Sequence, residues 1–214
     1  MINLPTSTMV NRFIPKEKFY AKTNINTKLR QLFTDEIEKI TWSNKISPET
    51  LNITASEYIE LQVFQIILKG ADVSLSLLKH IDTFIPYPIL FILKRSDATK
   101  AVISFKEPTT SKNILMKVNS YYDTGWKQHI QLELKGRSVD EIYKNYLHQI
   151  APKLDLEKKH DVKSAVEDNL SKEKLLLQIN AINRSVLNEP SVAKQQELAR
   201  ERYLLEQQLE IRYT

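Results

Sequence analysis

Two nearly continuous apolar segments, separated by a helical pattern, most constrain how this chain can fold. Residues 58–68 and 87–93 consist mainly of aliphatic and aromatic side chains. Such composition is typical of strands that are buried on both faces of a sheet. Between them, apolar residues recur every three or four positions, which predicts a helix over 72–84. A strand, a helix and a strand in this order favour a parallel crossover connection.

The N-terminal part of the chain is predicted to add one amphipathic helix. Residues 10–20 are interpreted as an entry segment that contains Pro15 and has aromatic and aliphatic anchors. From 27 to 41, apolar residues recur as on the buried face of a helix, which Asn26 or Thr27 would cap. Residues 43–49 then have the Ser, Asn and Pro content of a turn.

The residues after the second apolar segment predict further strands and one more helix. Strands are expected at 101–105, 114–118 and 130–134, the last because apolar and polar residues alternate there. A helix is expected over 139–150, with Ser138 as its N-cap. The expected fold class is therefore α+β, with a mixed, largely antiparallel sheet covered by helices over residues 1–151.

The chain changes character after residue 151. Residues 152–161 are predicted as a linker, and 162–214 as a coiled-coil-like helical hairpin with helices over 162–187 and 191–212. Apolar residues recur at heptad spacing along both helices, although Arg202 takes one position of the second stripe. Because a two-helix hairpin buries little surface, we expect its apolar seam to pack on a partner. The predicted partner-binding residues of this seam are Leu175, Ile179, Ile182, Leu205 and Leu209.

Composition excludes several classes of function. The three glycines stand at 70, 125 and 136, too far apart to form the glycine-rich loop that binds phosphate in P-loop and Rossmann proteins. The chain has no cysteine, which excludes disulfides and thiol nucleophiles and favours a cytoplasmic location. We therefore expect no cofactor.

No metal-binding motif stands out, but one constellation fits metal-dependent nucleases. The histidines show no ligand spacing; they are His80, His129, His148 and His160. Asp123, Glu133 and Lys135 match the loose Asp…Glu-x-Lys pattern, in which two carboxylates hold Mg²⁺ and the lysine stabilises the attacked phosphate. Alternating polar residues are also typical of a half-exposed strand, and we favour that interpretation.

The formal charge of +5 is unevenly distributed along the chain. Residues 1–34 carry six basic residues and one acidic residue, and 92–128 carry seven and three, whereas 35–91 carry four and eight. The basic segments favour weak, salt-sensitive and sequence-independent contact with nucleic-acid phosphates. The residues expected to make these contacts are Arg12, Lys16, Lys18, Lys94, Arg95, Lys112 and Lys117.

Three aromatic residues, Tyr121, Tyr122 and Trp126, surround a predicted turn. If exposed, they would stack on bases or form a hot spot for a protein partner. If buried, they would close the open end of the sheet. Tyr121 and Trp126 are therefore candidate partner-binding residues in addition to the hairpin seam.

Four stretches are distinctive in their order and spacing. They are VNRFIPK at 10–16 with FY at 19–20, EKITW at 38–42 with Lys45 and LNI at 51–53, IPY at 85–87 with ILF at 89–91, and YY at 121–122 with Trp126. Together they resemble a bacterial domain-of-unknown-function family, the one numbered 4391, over about residues 1–150, with the helical tail as a variable extension. The resemblance implies a genomic context beside helicases and DNA methyltransferases in restriction-like, phage-defence loci. It assigns no functional residue.

The leading hypothesis is a non-enzymatic accessory subunit of a DNA-acting bacterial defence or restriction-modification complex, docked on a helicase or methyltransferase. One alternative is a small Mg²⁺-dependent nuclease. The other is a structural protein that forms homo-oligomers through its C-terminal helices. We expect no membrane partner, because the longest apolar run, 84–93, is about half the roughly 20 residues that span a bilayer.

Overall fold

The computed structural model describes residues 2–20, 25–109, 116–154 and 162–213. The chain divides into a sheet unit, Met1–Pro152, and a hairpin unit, Lys153–Thr214. Most of the predicted linker, residues 155–161, lies outside the described residues.

In the described part of the sheet unit, six strands form one sheet whose spatial order follows the chain order. β3 and β4 are parallel, and every other neighbouring pair is antiparallel. This pairing confirms the mixed sheet and the parallel crossover that the two apolar segments predict. The strands are β1 (Met9–Phe13), β2 (Ile37–Ile46), β3 (Leu61–Leu68), β4 (Ile89–Lys94), β5 (Thr99–Pro108) and β6 (Met116–Asp123).

Helices cover both faces of this sheet. The helices of the described sheet unit are α1 (Thr27–Glu36), α2 (Pro48–Leu51), α3 (Leu75–Phe84) and α4 (Val139–Ile150). α1 and α3 share one buried cluster with the sheet, to which Phe33, Leu77 and Val102 belong. The neighbours of Val102 on β5 point to the opposite face, where α4 contacts β5. The α+β fold class is therefore confirmed.

The helix predicted over 27–41 is wrong in its last turn. α1 begins as expected, with the Asn26 Oδ1 atom accepting a hydrogen bond from the Leu29 amide at 2.7 Å, but it ends at Glu36. Residues 37–46, including the predicted turn after Trp42, form β2 and pair with both β1 and β3. A register shift between residues 37 and 39 turns Ile37 and Ile40 to the same buried side, so a bulged strand imitates helical spacing.

The strand predicted at 130–134 is also wrong. Ile130 and Leu132 are each only 5% exposed, as the alternation predicts, but the segment pairs with no strand of the described sheet. Its backbone bonds instead to a side chain of α4: the Glu133 amide donates to Gln149 Oε1 at 2.8 Å, and Gln149 Nε2 donates to the Glu133 carbonyl at 2.9 Å. A side chain of helix α4, and not the backbone of a neighbouring strand, thus supplies these hydrogen bonds to the alternating segment.

A buried ion pair connects α3 to β5. The side chains of Asp82 and Lys106 are fully buried, with Asp82 Oδ1 and Lys106 Nζ 2.8 Å apart. The same ammonium donates to the carbonyls of Asp82 (2.7 Å), Ile85 (2.8 Å) and Tyr87 (2.6 Å). The helical partner of the Asp82 carbonyl would be Pro86, which has no N–H, so the lysine caps the C-terminal end of α3.

Further hydrogen bonds extend this pair into a network. The Asp82 Oδ2 atom accepts from Ser104 Oγ at 2.5 Å and from Tyr121 Oη at 2.8 Å. Tyr143 Oη on α4 accepts from the Lys106 amide at 2.9 Å and donates to the Ser104 carbonyl at 2.6 Å. Burial raises the pKa of Asp82 and lowers the pKa of Lys106, because each charged form loses hydration, while their mutual attraction opposes both changes. The network fixes α3, α4 and β6 on β5.

The hairpin unit has the predicted two helices, α5 (Val162–Asn188) and α6 (Val192–Tyr213), which pack against each other. The Arg202 Nη1 atom of α6 donates to Asn183 Oδ1 of α5 at 3.0 Å. The arginine that interrupts the apolar stripe therefore still faces the other helix. None of the described helices is both long and apolar enough to cross a membrane.

Candidate nucleic-acid interface

The C-terminal ends of four strands lie at the same edge of the sheet. β1, β3, β4 and β6 run in the same direction, so their last residues lie beside the first residues of β2 and β5. This carboxyl edge comprises residues 14–16, 37–39, 69–72, 94–100 and 124–127. Ligands of open sheets commonly bind outside the carboxyl ends of the strands.

An open groove crosses the carboxyl edge between the residues that follow β3 and those that follow β4. Residues 67–71 and 94–97 line the groove together with Glu38 of β2, so that its lining carries the three cations Lys69, Lys94 and Arg95 and the two carboxylates Glu38 and Asp97. Around it, four lysines have no carboxylate within ion-pair distance among the described residues; they are Lys39, Lys69, Lys94 and Lys127. The edge is therefore suited to bind an anion such as a phosphate.

Two lysines of this edge cap helix α1. Lys16 Nζ donates to the carbonyls of Phe33 (3.1 Å) and Ile37 (2.6 Å), and Lys69 Nζ donates to the Thr34 carbonyl at 2.7 Å. Positive charge is favoured at the C-terminal end of a helix. Burial, together with the nearby charge of Lys69, lowers the pKa of Lys16. The ammonium of Lys16, a predicted phosphate contact, is thus bound to the backbone.

Trp126 lies against two cations at the carboxyl edge. The guanidinium carbon of Arg95 is 4.5 Å from the ring centre, and Lys100 Nζ is 4.9 Å from it. Asp72 holds this arrangement, because its carboxylate is 2.8 Å from Lys100 Nζ and accepts from Trp126 Nε1 at 3.3 Å. Stacking of a base on Trp126 would require these cations to move.

Hydrogen bonds keep Asp72 ionised. Burial by itself would raise its pKa, but hydrogen bonds from Lys100, from the Val73 amide at 2.8 Å and from Trp126 together lower the pKa of Asp72 below its usual value. The carboxylate therefore keeps its charge, and its hold on Lys100, at neutral pH.

The predicted nucleic-acid-binding residues are distributed over separate parts of the sheet unit. Arg12 is exposed on β1, and Lys117 is exposed on β6 at the opposite side of the sheet, five strand spacings or roughly 24 Å away. Lys94 lies between them at the carboxyl edge, and Lys18 is exposed in the turn after β1. Lys112 lies outside the described residues. The described members of this set do not form one surface.

Sequence reasoning missed Lys39 and Lys69, because both lie in the acidic segment 35–91. The pairing of Ile37 with Leu68 brings them to the same edge as Lys94. Charge counted along the chain cannot reveal this arrangement, since it depends on strand register.

The three residues of the nuclease pattern have other contacts. Asp123 ends β6, and its Oδ1 atom accepts from the Gly125 amide at 2.7 Å in a turn. Glu133 Oε2 lies 2.5 Å from Lys135 Nζ, and both side chains are more than half exposed. Among the described residues, no group of three or more carboxylate or histidine side chains is placed to hold a metal ion.

The histidines lie in unrelated places. His80 Nε2 is 2.6 Å from the Phe19 carbonyl, in the layer of α1 and α3. His148 is half-buried on α4, His129 is exposed, and His160 lies outside the described residues.

The predicted partner-binding residues are mostly internal. The five seam residues are buried or half-buried in the hairpin unit, and Tyr121 donates its hydroxyl to the buried Asp82 carboxylate. Sequence reasoning missed a second set of large apolar side chains, which are exposed on both helices because they fall outside the heptad stripe. They include Leu177 (69% exposed), Leu187, Val192, Leu204 and Ile211.

The protein-family model described as "Domain of unknown function (DUF4391)" matches residues 2–209. The match includes the helical hairpin, which the sequence resemblance had left as a variable extension. No curated protein and no solved structure shows a significant match to the chain.

Proposed function

We propose a function for this chain, which belongs to the DUF4391 family of unknown function. In this proposal it is a non-enzymatic accessory subunit of a DNA-acting bacterial defence or restriction-modification complex. In this proposal the carboxyl edge of the sheet makes weak, sequence-independent contacts with nucleic-acid phosphates. The hairpin docks on a protein partner of the helicase or methyltransferase class.

The observation that carries the nucleic-acid part is the group of unpaired lysines at the carboxyl edge. Lys39, Lys94 and Lys127 lie on or beside three different strands and have no carboxylate partner among the described residues. Lysines that are not bound to carboxylates can replace the counterions of a phosphate backbone. Three such contacts are few, so we expect weak affinity, on the order of 10⁻⁴–10⁻⁶ M at physiological salt.

The exposed apolar residues of the hairpin support the docking part. Leu177 and Leu204 are 69% and 56% exposed, and burial of such large apolar side chains by a protein partner would be favourable. The class of partner is supported by the family resemblance alone.

Fluorescence anisotropy with labelled duplex and single-stranded DNA tests the nucleic-acid part. Reversing the charge of three lysines of the carboxyl edge should weaken binding at least tenfold, whereas reversing three exposed lysines elsewhere on the chain should weaken it less than threefold. The edge variant combines Lys39→Glu, Lys94→Glu and Lys127→Glu, and its charge-matched control combines Lys79→Glu, Lys174→Glu and Lys194→Glu. Equal losses would mean that net charge alone drives binding.

Two further outcomes would favour the alternatives. Absence of binding even at low salt, with concentration-dependent light scattering, would favour the self-associating structural protein. Plasmid nicking that is lost in Glu133→Ala would favour the nuclease.

Co-purification from the native host tests the docking part. Mass spectrometry should identify a helicase or DNA methyltransferase with the wild-type chain. The variant Leu177→Asp/Leu204→Asp should lose this partner while it keeps its helicity. Retention of the partner by this variant would assign docking to another surface.

A further inference from the structure

The face of the sheet opposite α1 and α3 is reached by solvent over parts of β1, β2 and β3. One row of cross-strand partners crosses this face, because Phe13 pairs with Thr41 and Thr41 pairs with Gln65. Gln65 lies between Phe64 and Ile66, which belong to the buried cluster of α1 and α3, so the row points away from those helices. Phe13 is 56% exposed, and Thr41 and Gln65 are half-buried. These three residues are referred to below as the aromatic row.

A second row, which carries three lysines, lies beside the aromatic row and two residues nearer the carboxyl edge. Its members, in the order in which they pair, are Lys39 of β2, Ile67 of β3, Lys94 of β4, Thr99 of β5 and Lys127. Paired residues project to the same face, so this cation row shares the face of Phe13. With strands about 4.8 Å apart, successive lysines are roughly 10 Å apart, and the two rows are about 7 Å apart.

The charge of this face is positive. Neither row contains a carboxylate, and neither does the lining of the open depression that shares Gln65, Lys94 and Thr99 with them. The carboxylates Glu38 and Asp97 line the groove that lies nearer the carboxyl edge than the cation row. The exposed ring of Phe13 and the cation row thus form one surface that is complementary to an anion with attached aromatic groups.

We propose that this face binds single-stranded DNA, with phosphates along the cation row and a base stacked on Phe13. Proteins that bind single strands without sequence preference combine cations that follow the backbone with aromatic side chains on which bases stack. Thr41 and Gln65, beside Phe13 in the aromatic row, offer donors and acceptors to the edge of an unpaired base.

This inference rests on the proposed function and specifies the form of DNA that the chain binds. In a duplex the bases are stacked on one another, so their faces are not available to Phe13. A duplex would therefore contact the cation row alone, and we expect it to bind more weakly than a single strand.

Fluorescence anisotropy with a labelled oligothymidylate of about 12 nucleotides tests the inference on the full chain. Phe13→Leu keeps an apolar side chain but removes the aromatic ring, and it should weaken binding at least fivefold, the lower limit for the loss of one base–aromatic stack. Phe13→Trp should bind at least as tightly as wild type. Tyr203→Leu, at a position of α6 that is 58% exposed, is the matched control and should change binding less than twofold.

Two further probes separate stacking from phosphate contact. An abasic strand with the same number of phosphates, and a duplex of the same length, should each bind Phe13→Leu and wild type equally. The thermal unfolding temperature of Phe13→Leu should match that of wild type, because the ring is mostly exposed. Duplex binding that is weakened by Lys39→Glu/Lys94→Glu/Lys127→Glu, with oligothymidylate binding unaltered in Phe13→Leu, would retain the proposed function and overturn this inference.

Three other results would also overturn it. They are equal losses in Phe13→Leu and Tyr203→Leu, an equal effect of Phe13→Leu on the abasic strand, and at least tenfold tighter binding of oligouridylate than of oligodeoxyuridylate. The last result would assign the face to RNA. Absence of binding by every probe at low salt would overturn both this inference and the nucleic-acid part of the proposed function.

Discussion

Removing the buried ammonium of Lys106 should destabilise the sheet unit more than the substitution Asp82→Asn does. Lys106→Met leaves an uncompensated carboxylate in a fully buried position, which costs about 3–5 kcal/mol. It also removes the donor from three backbone carbonyls at the end of α3. Since a domain is stable by only about 5–15 kcal/mol, this loss is a large fraction of the total.

Asp82→Asn should cost less, about 1–3 kcal/mol. Ser104 and Tyr121 both donate to the same oxygen, Oδ2, which an asparagine can still provide. Lys106 keeps its three carbonyl acceptors. In the double variant no negative charge is left buried, so we expect it to be more stable than the sum of the two single losses implies.

Urea unfolding followed by tryptophan fluorescence measures these losses in the sheet unit, because both tryptophans, Trp42 and Trp126, lie there. With a denaturant dependence of about 2 kcal/mol per molar, a loss of 3–5 kcal/mol lowers the midpoint by roughly 1.5–2.5 M. Lys79→Met, an exposed control, should stay within about 0.5 kcal/mol of wild type. A smaller effect of Lys106→Met than of Asp82→Asn, or strict additivity in the double variant, would refute this account.

Further substitutions test other parts of the structure. Gly136→Ala should lower the free energy of unfolding, measured by thermal denaturation, by about 1–3 kcal/mol, because φ is +139° and the new Cβ would lie 2.8 Å from a backbone nitrogen of α4. The control Gly70→Ala, whose Cβ would meet no atom within 4 Å, should change this free energy little. Ile179→Asp should reduce helicity by circular dichroism without changing tryptophan fluorescence, because that side chain is 7% exposed, and Leu177→Asp should leave helicity intact; equal effects would contradict the burial pattern. Because the pKa of Asp72 is lowered by folding, its contribution to stability is present above its unfolded pKa and is lost as the pH falls through its folded pKa. Asp72→Asn should therefore be less stable than wild type at pH 7, and the difference should shrink as the pH falls below about 4 and disappear only below the lowered folded pKa of Asp72; a pH-independent difference would refute this origin.

The sequence predicts elements well where one local signal acts alone. α4 is predicted with its exact cap: Ser138 Oγ accepts from the Glu141 amide at 3.1 Å, and Val139 and Ile150 bound a helix with one buried face. The hairpin helices follow from heptad spacing, and β3 and β4 follow from nearly continuous apolar segments. In each case the local pattern by itself indicates the type of element.

Prediction from the sequence fails where tertiary contacts produce a residue pattern that is typical of a different element. The bulge in β2 gives Ile37 and Ile40 the spacing of a helix, and Gln149 supplies the bonds that a neighbouring strand would have supplied to Glu133. The carboxyl edge cannot be predicted from the sequence for the same reason, because strand register, which pairs Ile37 with Leu68 and Lys39 with Ile67, brings Lys39 and Lys69 to the same edge.

The net charge of the chain overstates the number of DNA phosphates that it can bind. The salt dependence of DNA binding should reveal the smaller number. Of the predicted contacts at the carboxyl edge, Lys16 is bound to helix carbonyls and Arg95 lies against Trp126, which leaves Lys94. Lys39 and Lys127, which were not predicted, join Lys94 there as cations without a carboxylate partner among the described residues. With a slope of about −0.9 per phosphate, three contacts lower duplex affinity roughly 40-fold between 50 and 200 mM salt, whereas seven would lower it about 6,000-fold. Anisotropy titrations across this range separate the two values. A decrease of a thousandfold or more would mean that cations assigned here to internal contacts are released to DNA, and the division of charge argued from the structure would then be wrong.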